Sequence, residues 1–311
     1  MKDLVSVIIT TFKRSELLSR AINSVLAQTY ENIEIIVVDD NEPNTEYRSN
    51  TEKLMSSLYS NEVKIHYLKM SKNSGACAAR NFGASKAKGR FINFLDDDDQ
   101  FYPTKIEKQV NIFSKSEDSE LSVVGCYGEI VNQDGAILNI EQTNKKGNVF
   151  FDQLCHNITT TSLALIRRDY YIESKGFEHM YSSQEHWMFA KIYALHPNYD
   201  FVPEVLVRIN IHDGERISTN PNKPLGAIQL YENIKEFFPR FDEAKRQIIR
   251  ESLLENIINA YLIQGRRKES LPYLLKRQIF GRFFSLSNFK ISIAWFLGQK
   301  IYARFVQSFL H

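Results

Sequence analysis

Residues 5–40 read VSVIITTFKRSELLSRAINSVLAQTYENIEIIVVDD, and the fold is decided there. Val5 to Thr10 and Ile33 to Val38 are β-branched, apolar runs without polar alternation, as strands covered on both faces require. Between them Leu17, Leu18, Ala21, Ile22, Val25 and Leu26 recur at helical spacing, with Ser15 expected as the N-cap. This is a βαβ unit with parallel strands. A third strand at Val63 to Leu68, a helix from Ala76 to Lys88 stopped by Gly89, and a fourth strand at Phe91 to Leu95 continue it. The expected class is α/β, a Rossmann-like and mostly parallel sheet with helices on both faces. Beyond residue 120 a strand at Leu121 to Tyr127 and a turn at Asp134-Gly135 predict a mixed extension of the sheet. Ser183 is expected to cap a helix carrying Trp187, Ile192 and Leu195 on one side, and residues 210–224 form a loop long enough for a lid. From Arg240 the chain is expected to be helical, with Leu253, Leu254, Ile257, Ile258, Tyr261 and Leu262 in its core.

At 311 residues and 43% apolar, the chain can bury one large α/β domain and a smaller appendage. The formal net charge of +2 is unevenly spread: from Arg240 onward there are about 13 Lys or Arg against about 5 Asp or Glu, so the preceding part is net acidic. An acidic part suits a metal site, and a basic tail suits an anionic surface. Nucleic acid is the other reading of such a tail and is not the partner expected. Cys77, Cys126 and Cys155 are far apart and lack CxxC spacing, so neither a disulfide framework nor a zinc site is expected, and a reducing cytoplasm is. The opening Met-Lys-Asp-Leu-Val-Ser leads into a strand without signal-peptide segments, and no run reaches the roughly 18 apolar residues of a membrane span. The expected location is cytoplasmic, with the inner face of the plasma membrane open to the basic tail.

Three polar clusters fall at the carboxyl ends of expected strands: Thr10-Thr11-Phe12, Asp39-Asp40-Asn41 and Asp96-Asp97-Asp98-Asp99. Open parallel sheets bind ligands there, because loops and helix N-termini converge on that edge. Four consecutive aspartates repel one another and persist only beside positive charge or solvent. Strand alternation predicts Asp96 and Asp98 on one face and Asp97 and Asp99 on the other. One such face can chelate Mg²⁺ or Mn²⁺ while leaving positions for phosphate oxygens; a solvated acidic turn is the plainer reading. Asp40 can accept from a ribose or a base edge, or simply shape a turn. Arg80 is a candidate counter-charge.

The order Val5 to Phe12, Val37-Val38-Asp39-Asp40-Asn41, Asn73-Ser74-Gly75, Ala79-Arg80-Asn81, Gly83, Gly89 and Leu95 to Asp99 resembles family 2 glycosyltransferases of the GT-A fold, over about residues 3–215. The resemblance implies a GT-A catalytic domain over 1–220 and a helical, basic region over 221–311. It implies an inverting, hexosyl-type transfer from a nucleotide sugar, a UDP-sugar being favoured. Thr10, Phe12 and Arg14 would then lie on the donor side, Asp40 on the base, Arg80, Asp96 and Asp97 on the donor, and Asp98 on Mn²⁺ or Mg²⁺. His212, in a loop resembling the family's flexible loop, would cap the metal or diphosphate. Gln184-Glu185-His186-Trp187 resembles the element that carries the family's general base, which makes Glu185 the candidate where an aspartate is commoner. His186 is the local rival, since imidazole titrates in the right range. Thr159-Thr160-Thr161-Ser162 lies where the family passes near the acceptor, and four small hydroxyls also suit a buried strand.

A nucleotidyltransferase would carry a glycine-rich phosphate loop after the first strand, where this chain has Thr-Thr-Phe-Lys-Arg. A sugar-nucleotide-binding module without transfer activity is the alternative from another class. The partners expected are a nucleotide-sugar donor and a glycan or polyprenyl-linked saccharide acceptor. For the basic tail they are a membrane surface or, as a homo-oligomer, a second copy of the chain.

Overall fold

The computed structural model describes residues 2–211, 221–280 and Trp295. Its elements are β1 (Val5–Thr11), α1 (Ser15–Leu26), β2 (Ile33–Asp39), α2 (Glu46–Tyr59), β3 (Ile65–Lys69), α3 (Ala76–Lys86), β4 (Phe91–Asp96), β5 (Gln100–Phe101), α4 (Lys105–Lys115), β6 (Leu121–Val131), β7 (Ile137–Glu141) and β8 (Gly147–Asn148). There follow α5 (Phe150–Cys155), β9 (Leu165–Arg167), α6 (Arg168–Glu173), α7 (Gln184–Leu195), β10 (Asn198–Asn210), α8 (Lys223–Ile234), α9 (Glu243–Ile263) and α10 (Arg267–Phe280). Two compact units are distinguished: Met1–Gln153 with Asn157–His179 and Met188–Asp213, and Leu154–His156 with Met180–Trp187 and Gly214–His311.

The first unit is built on one sheet of order β3-β2-β1-β4-β9-β6-β10-β5, with β7 added on β6 and β8 on β10. β3, β2, β1 and β4 are mutually parallel, whereas β9 joins β4 and β6 antiparallel, which is the mixed extension expected. Register matters more than order here. Thr10 pairs with Asp96 and Thr11 with Asp39, so β1, β2 and β4 end level and deliver their terminal polar residues to one edge. The helices bury the two faces. From α1, Leu18, Ala21, Ile22 and Val25 enter the core, while Leu26 is left at the surface. α3 lies close against β1 and β2 through Gly83, where a Cβ would meet Ile8 Cγ2 at 2.5 Å and Val38 Cγ2 at 3.0 Å.

Several boundaries differ from those expected. Ser15 is the first residue of α1 rather than its cap: Arg14 occupies the cap position, and no side chain accepts there. Val63 is 88% exposed, and the third strand begins at Ile65, where pairing with β2 begins. α3 stops at Lys86, before Gly89, because Ala87 is already extended. Leu195, the last residue of α7, is exposed, and the buried residues Trp187, Met188, Phe189, Ala190, Ile192 and Tyr193 lie around most of the helix rather than along one stripe.

A polar knot fastens α4 beneath the sheet. Lys105 is wholly buried, with its Nζ 3.2 Å from Asn93 Oδ1, 2.9 Å from Gln109 Oε1 and 4.1 Å from the centre of the Phe101 ring. Gln109 in turn donates to the Val124 and Leu163 carbonyls, both at 2.8 Å. Every polar atom of this interior group that can donate finds an acceptor, the condition on which such groups are tolerated in a core.

In the second unit α9 buries all six expected core residues, and Ala227 of α8 joins Leu254, Ile257, Ala260 and Tyr261. The buried Arg277 of α10 is held by Glu255 at 2.8 Å and by the Glu251 carbonyl at 3.1 Å. Among the described residues no helix is long and apolar enough to cross a membrane. Of the aromatic segment 283–310, Trp295 alone falls within the described residues. Its Nε1 donates to Ser270 Oγ at 2.9 Å.

Burial pushes the Lys105 ammonium down to about 8, against about 10.4 in an unfolded chain. Between these values the unfolded chain holds a proton that the folded chain has released, so this residue's contribution to stability rises with pH. Urea unfolding at pH 8 and pH 10 checks this, because titrations common to wild type and Lys105→Met cancel in the difference. The wild type gains on the order of 2 kcal/mol relative to the variant over that interval; a difference independent of pH contradicts it.

Candidate functional site

β4 ends at Asp96, and the Asp99 amide closes a turn on the Asp96 carbonyl at 3.1 Å. Strand alternation therefore stops one residue into the quartet. The turn brings one oxygen each from Asp96, Asp98 and Asp99 within 4.8 Å of one another, with Asp97 outside the trio. Asp96 and Asp98 share a face, as alternation predicts, but Asp99 joins them instead of lying opposite.

Positive charge and backbone donors come to this turn from four other parts of the first unit. Arg14, leaving β1, lies 2.9 Å from Asp98 Oδ2 and 3.4 Å from Asp97 Oδ1. The buried Arg80 of α3 lies 2.5 Å from Asp96 Oδ1. Arg20 and Asn210 donate to the Asp98 carbonyl at 3.0 and 2.7 Å. Asp99 accepts the Asn210 amide at 3.2 Å and the Ser162 hydroxyl at 3.0 Å. Of the four hydroxyls at 159–162, Ser162 is thus tied to the acidic turn. Burial, with Asp98 alongside, pushes the Asp97 carboxyl up to about 7 against the pull of Arg14. Burial, with Asp96 and Asp98 beside it, holds Asp99 well above the usual carboxylate range. Asp96 is the solvent-facing member, its side chain 39% exposed.

The neighbouring strand ends make a wall. Asp39 is fully buried and accepts the Asn41 amide at 2.9 Å, the Asn41 side chain at 2.8 Å and the Tyr67 hydroxyl at 2.6 Å, with Arg48 Nε at 3.2 Å. Arg48 also donates to the carbonyls of Asp39, Asn41 and Met70, so Asp39 is a structural hub. Asp40 uses one oxygen for the Ser74 amide and the other for the Gly75 amide, each at 2.8 Å, which fixes the entry to α3. A carboxylate has about four acceptor positions, so capacity for a base edge remains. Asn41 reaches across to accept the Lys13 amide at 2.8 Å. Thr10 is half-buried beside Asp96, and Phe12 is 37% exposed with Lys13 Nζ 4.9 Å above its ring. Further along the same unit, Glu129 of β6 accepts the Tyr102 hydroxyl at 2.6 Å and Arg208 Nε at 2.8 Å.

Glu185 and His186 lie in the first turn of α7, in the segment Met180–Trp187 of the second unit; Glu185 is half-buried and His186 buried. His212 lies outside the described residues. Thus Thr10, Phe12, Arg14, Asp40, Arg80 and the quartet meet on one sheet edge of the first unit. Sequence reasoning missed Asp99 as a third cluster member, together with Arg20 and Asn210, whose contacts to the quartet span 78 to 112 residues. No local pattern marks such partners.

Three hard carboxylate oxygens, one on a solvent-facing residue, are a donor set suited to Mg²⁺ or Mn²⁺ with coordination positions left for other oxygens. The profile of the family described as Glycosyl transferase family 2 matches residues 6–174, more than half of the chain. The chain belongs to that family.

Among its relatives is an uncharacterized glycosyltransferase of Rickettsia felis, 30% identical over 228 residues that make up 71% of this chain and 36% of that protein. The chain thus spans about a third of the length of that relative. WcaA of Escherichia coli, a glycosyl transferase named for colanic acid biosynthesis, is 26% identical over 246 residues, covering 76% of this chain and 83% of WcaA. Among solved structures, residues 1–349 of Staphylococcus aureus TarS in complex with UDP-GlcNAc superpose with a TM-score of 0.66 at 18% identity, over 89% of this chain and 80% of that one. The mannosyltransferase PcManGT of Pyrobaculum calidifontis, in complex with GDP-Man and Mn²⁺, superposes with a TM-score of 0.55 at 14% identity, over 95% and 88%. The fold of this family 2 chain is accordingly GT-A, with a helical C-terminal region.

Arg80→Met keeps the length of the side chain and removes the cation beside Asp96. Urea denaturation is expected to show a loss of about 1–3 kcal/mol, towards the low end because Asp96 is partly hydrated. The deficit shrinks with millimolar MnCl₂, as a divalent cation takes over the neutralisation. A deficit that Mn²⁺ leaves unchanged contradicts this reading of the cluster.

Proposed function

We propose that this chain transfers one sugar, with inversion, from a nucleotide-sugar donor to a hydroxyl of a glycan or lipid-linked acceptor. The observation that carries the reading is the trio Asp96, Asp98 and Asp99 at the end of β4 in a family 2 chain. Asp98 is the principal metal ligand, Asp96 its partner, and Asp99 a third donor available from the turn. Mn²⁺ or Mg²⁺ bound there would offset the charge that develops on the leaving diphosphate. Thr10, Phe12 and Asp40 hold the nucleoside, while Arg14, Arg80 and Asp97 border the phosphates and ribose. TarS and PcManGT, bound to UDP-GlcNAc and GDP-Man in their structures, support a nucleotide-sugar donor, and a UDP-sugar is the one proposed. The name of WcaA, a glycosyl transferase of colanic acid biosynthesis, supports a role in polysaccharide assembly; the proposed place is the cytoplasmic side of the membrane, where the basic charge of the C-terminal region would favour docking.

Inversion requires a base that takes the proton of the acceptor hydroxyl, a contribution of about 10²- to 10⁴-fold. Glu185 is proposed for that role. His212 is proposed to close over the metal or diphosphate.

The test is a thermal-shift screen of UDP-GlcNAc, other UDP-sugars and GDP-mannose, with and without Mn²⁺, on wild type and Asp98→Asn. Stabilisation that needs both the cation and Asp98 is expected; equal stabilisation of the variant removes Asp98 from its role. For the donor so selected, Glu185→Gln is expected to lower hydrolysis and transfer by about 10²- to 10⁴-fold while leaving donor affinity nearly unchanged. Wild-type turnover in that variant would assign the base elsewhere, with His186→Asn the next substitution to compare.

A further inference from the structure

The segment Met180–Trp187 belongs with α8, α9 and α10 in the second unit, although some 35 residues of chain separate it from α8. The contact that joins them admits no side chain. At Gly226 of α8 a Cβ would fall 2.1 Å from Ser182 Oγ, 2.3 Å from Ser182 N and 2.8 Å from Ser182 Cα. Two of those atoms are backbone, which cannot rotate aside, so the α8 main chain abuts the main chain of Ser182. The Ser182 hydroxyl, buried, donates to the Lys223 carbonyl in the first turn of α8 at 3.1 Å.

The residues that follow are held in an uncommon conformation. Ser183 has a φ of +62°, in the left-handed region that side-chain-bearing residues seldom adopt unless their surroundings impose it. The Gln184 side chain folds back to the Met180 carbonyl at 3.0 Å, and the Trp187 amide donates to the Ser183 carbonyl at 3.1 Å. On the far side of Glu185, the Trp187 ring lies 5.8 Å from the ring of Phe237, just beyond α8. Glu185 therefore sits between two anchors, Ser182 on Gly226 and Trp187 on Phe237, both supplied by the 221–280 region. It also lies in the first turn of α7, where the helix dipole favours a carboxylate.

We infer that α8 is the clamp that positions Glu185, with Gly226 and Ser182 as positioning residues. This rests on the reading of Glu185 as the base and gives the C-terminal helices a part in turnover beyond docking. A base misplaced by about 1 Å can lose up to about 10²-fold in rate without any change in its own chemistry.

The test compares Gly226→Ala, Ser182→Ala, Glu185→Gln and Leu254→Ala in the full chain. The last removes packing of α9 against Ala227 of α8 and leaves every residue of 180–187 unsubstituted. The readouts are Mn²⁺-dependent hydrolysis of UDP-GlcNAc or GDP-mannose, whichever the binding screen selects, the affinity for the free nucleotide, and amide hydrogen exchange over 180–187. Gly226→Ala is expected to lower kcat by about 10- to 100-fold, with KM for the donor and nucleotide affinity within about twofold of wild type, and to raise exchange at 180–187. Ser182→Ala does the same to a smaller degree. Leu254→Ala lowers the unfolding midpoint and keeps kcat below it. An unchanged kcat in Gly226→Ala beside an inactive Glu185→Gln overturns the clamp alone, as does an equal kcat loss in Leu254→Ala. Full activity in Glu185→Gln overturns the base assignment and the clamp's purpose with it. Were Gly226→Ala not to fold, Ser182→Ala decides by the same criteria.

Discussion

Four carboxylates in one turn are the constraint on which the first unit depends. At the separations found here, like charges repel by on the order of a few kcal/mol at a protein surface, and more where water is excluded. The turn is kept by importing Arg14 from the end of β1, Arg80 from α3, Asn210 from β10 and Ser162 from the approach to β9. Arg14 reaches Asp96–Asp99 because the sheet places β1 and β4 side by side with their ends level, and Asn210 because β10 pairs with β5 directly after the turn. Sheet register and site electrostatics are thus one problem. The same arrangement leaves Asp96 and Asp98 balanced by arginines, beside an Asp99 carboxyl that burial holds well above the usual carboxylate range.

The adjacent strand end solves a different problem. Asp39 and Asp40 are consecutive, yet one is spent on the framework and the other on the mouth of the site. Asp39 gathers Asn41, Tyr67 and Arg48, while Asp40 ties the end of β2 to the amides that open α3. A wall whose loops are bound to one another before any ligand arrives loses little freedom on binding, which is how rigid sites gain affinity. The candidate base, in contrast, is supported by the helices of the second unit, through a glycine that permits backbone contact.

The parts legible in the sequence were those with local signals. Unbroken β-branched runs marked β1, β2 and β4, and helical periodicity marked α1 and α9. The carboxyl ends of those strands also marked the polar residues that meet on one sheet edge. α2 was not legible, because the residues it buries include Arg48 and Thr51 beside Met55 and Tyr59, a stripe with no apolar rhythm. α4 hid for the same reason, with Lys105 and Gln109 turned inward. The quartet was read as a strand, whereas the Asp99 amide bonds back to Asp96 and makes it a turn, which changes the set of carboxylates that meet. Contacts such as Asn210 on Asp98 join residues 112 apart and leave no trace in any window of sequence. The close seat of Gly226 on Ser182 is equally silent, since a helix glycine reads as a mere weakness until its neighbour is known.

The central claim is that the turn Asp96–Asp99 holds a divalent cation for a nucleotide diphosphate. It is tested most directly by a crystal grown with MnCl₂ and UDP, with anomalous data collected at the manganese edge. The account predicts a peak about 2.0–2.3 Å from an Asp98 carboxylate oxygen, with Asp96 or Asp99 as a second protein ligand and UDP phosphate oxygens completing the shell. UDP bound on this sheet edge with no anomalous peak at the turn, and with Arg14 still paired to Asp98, would contradict it.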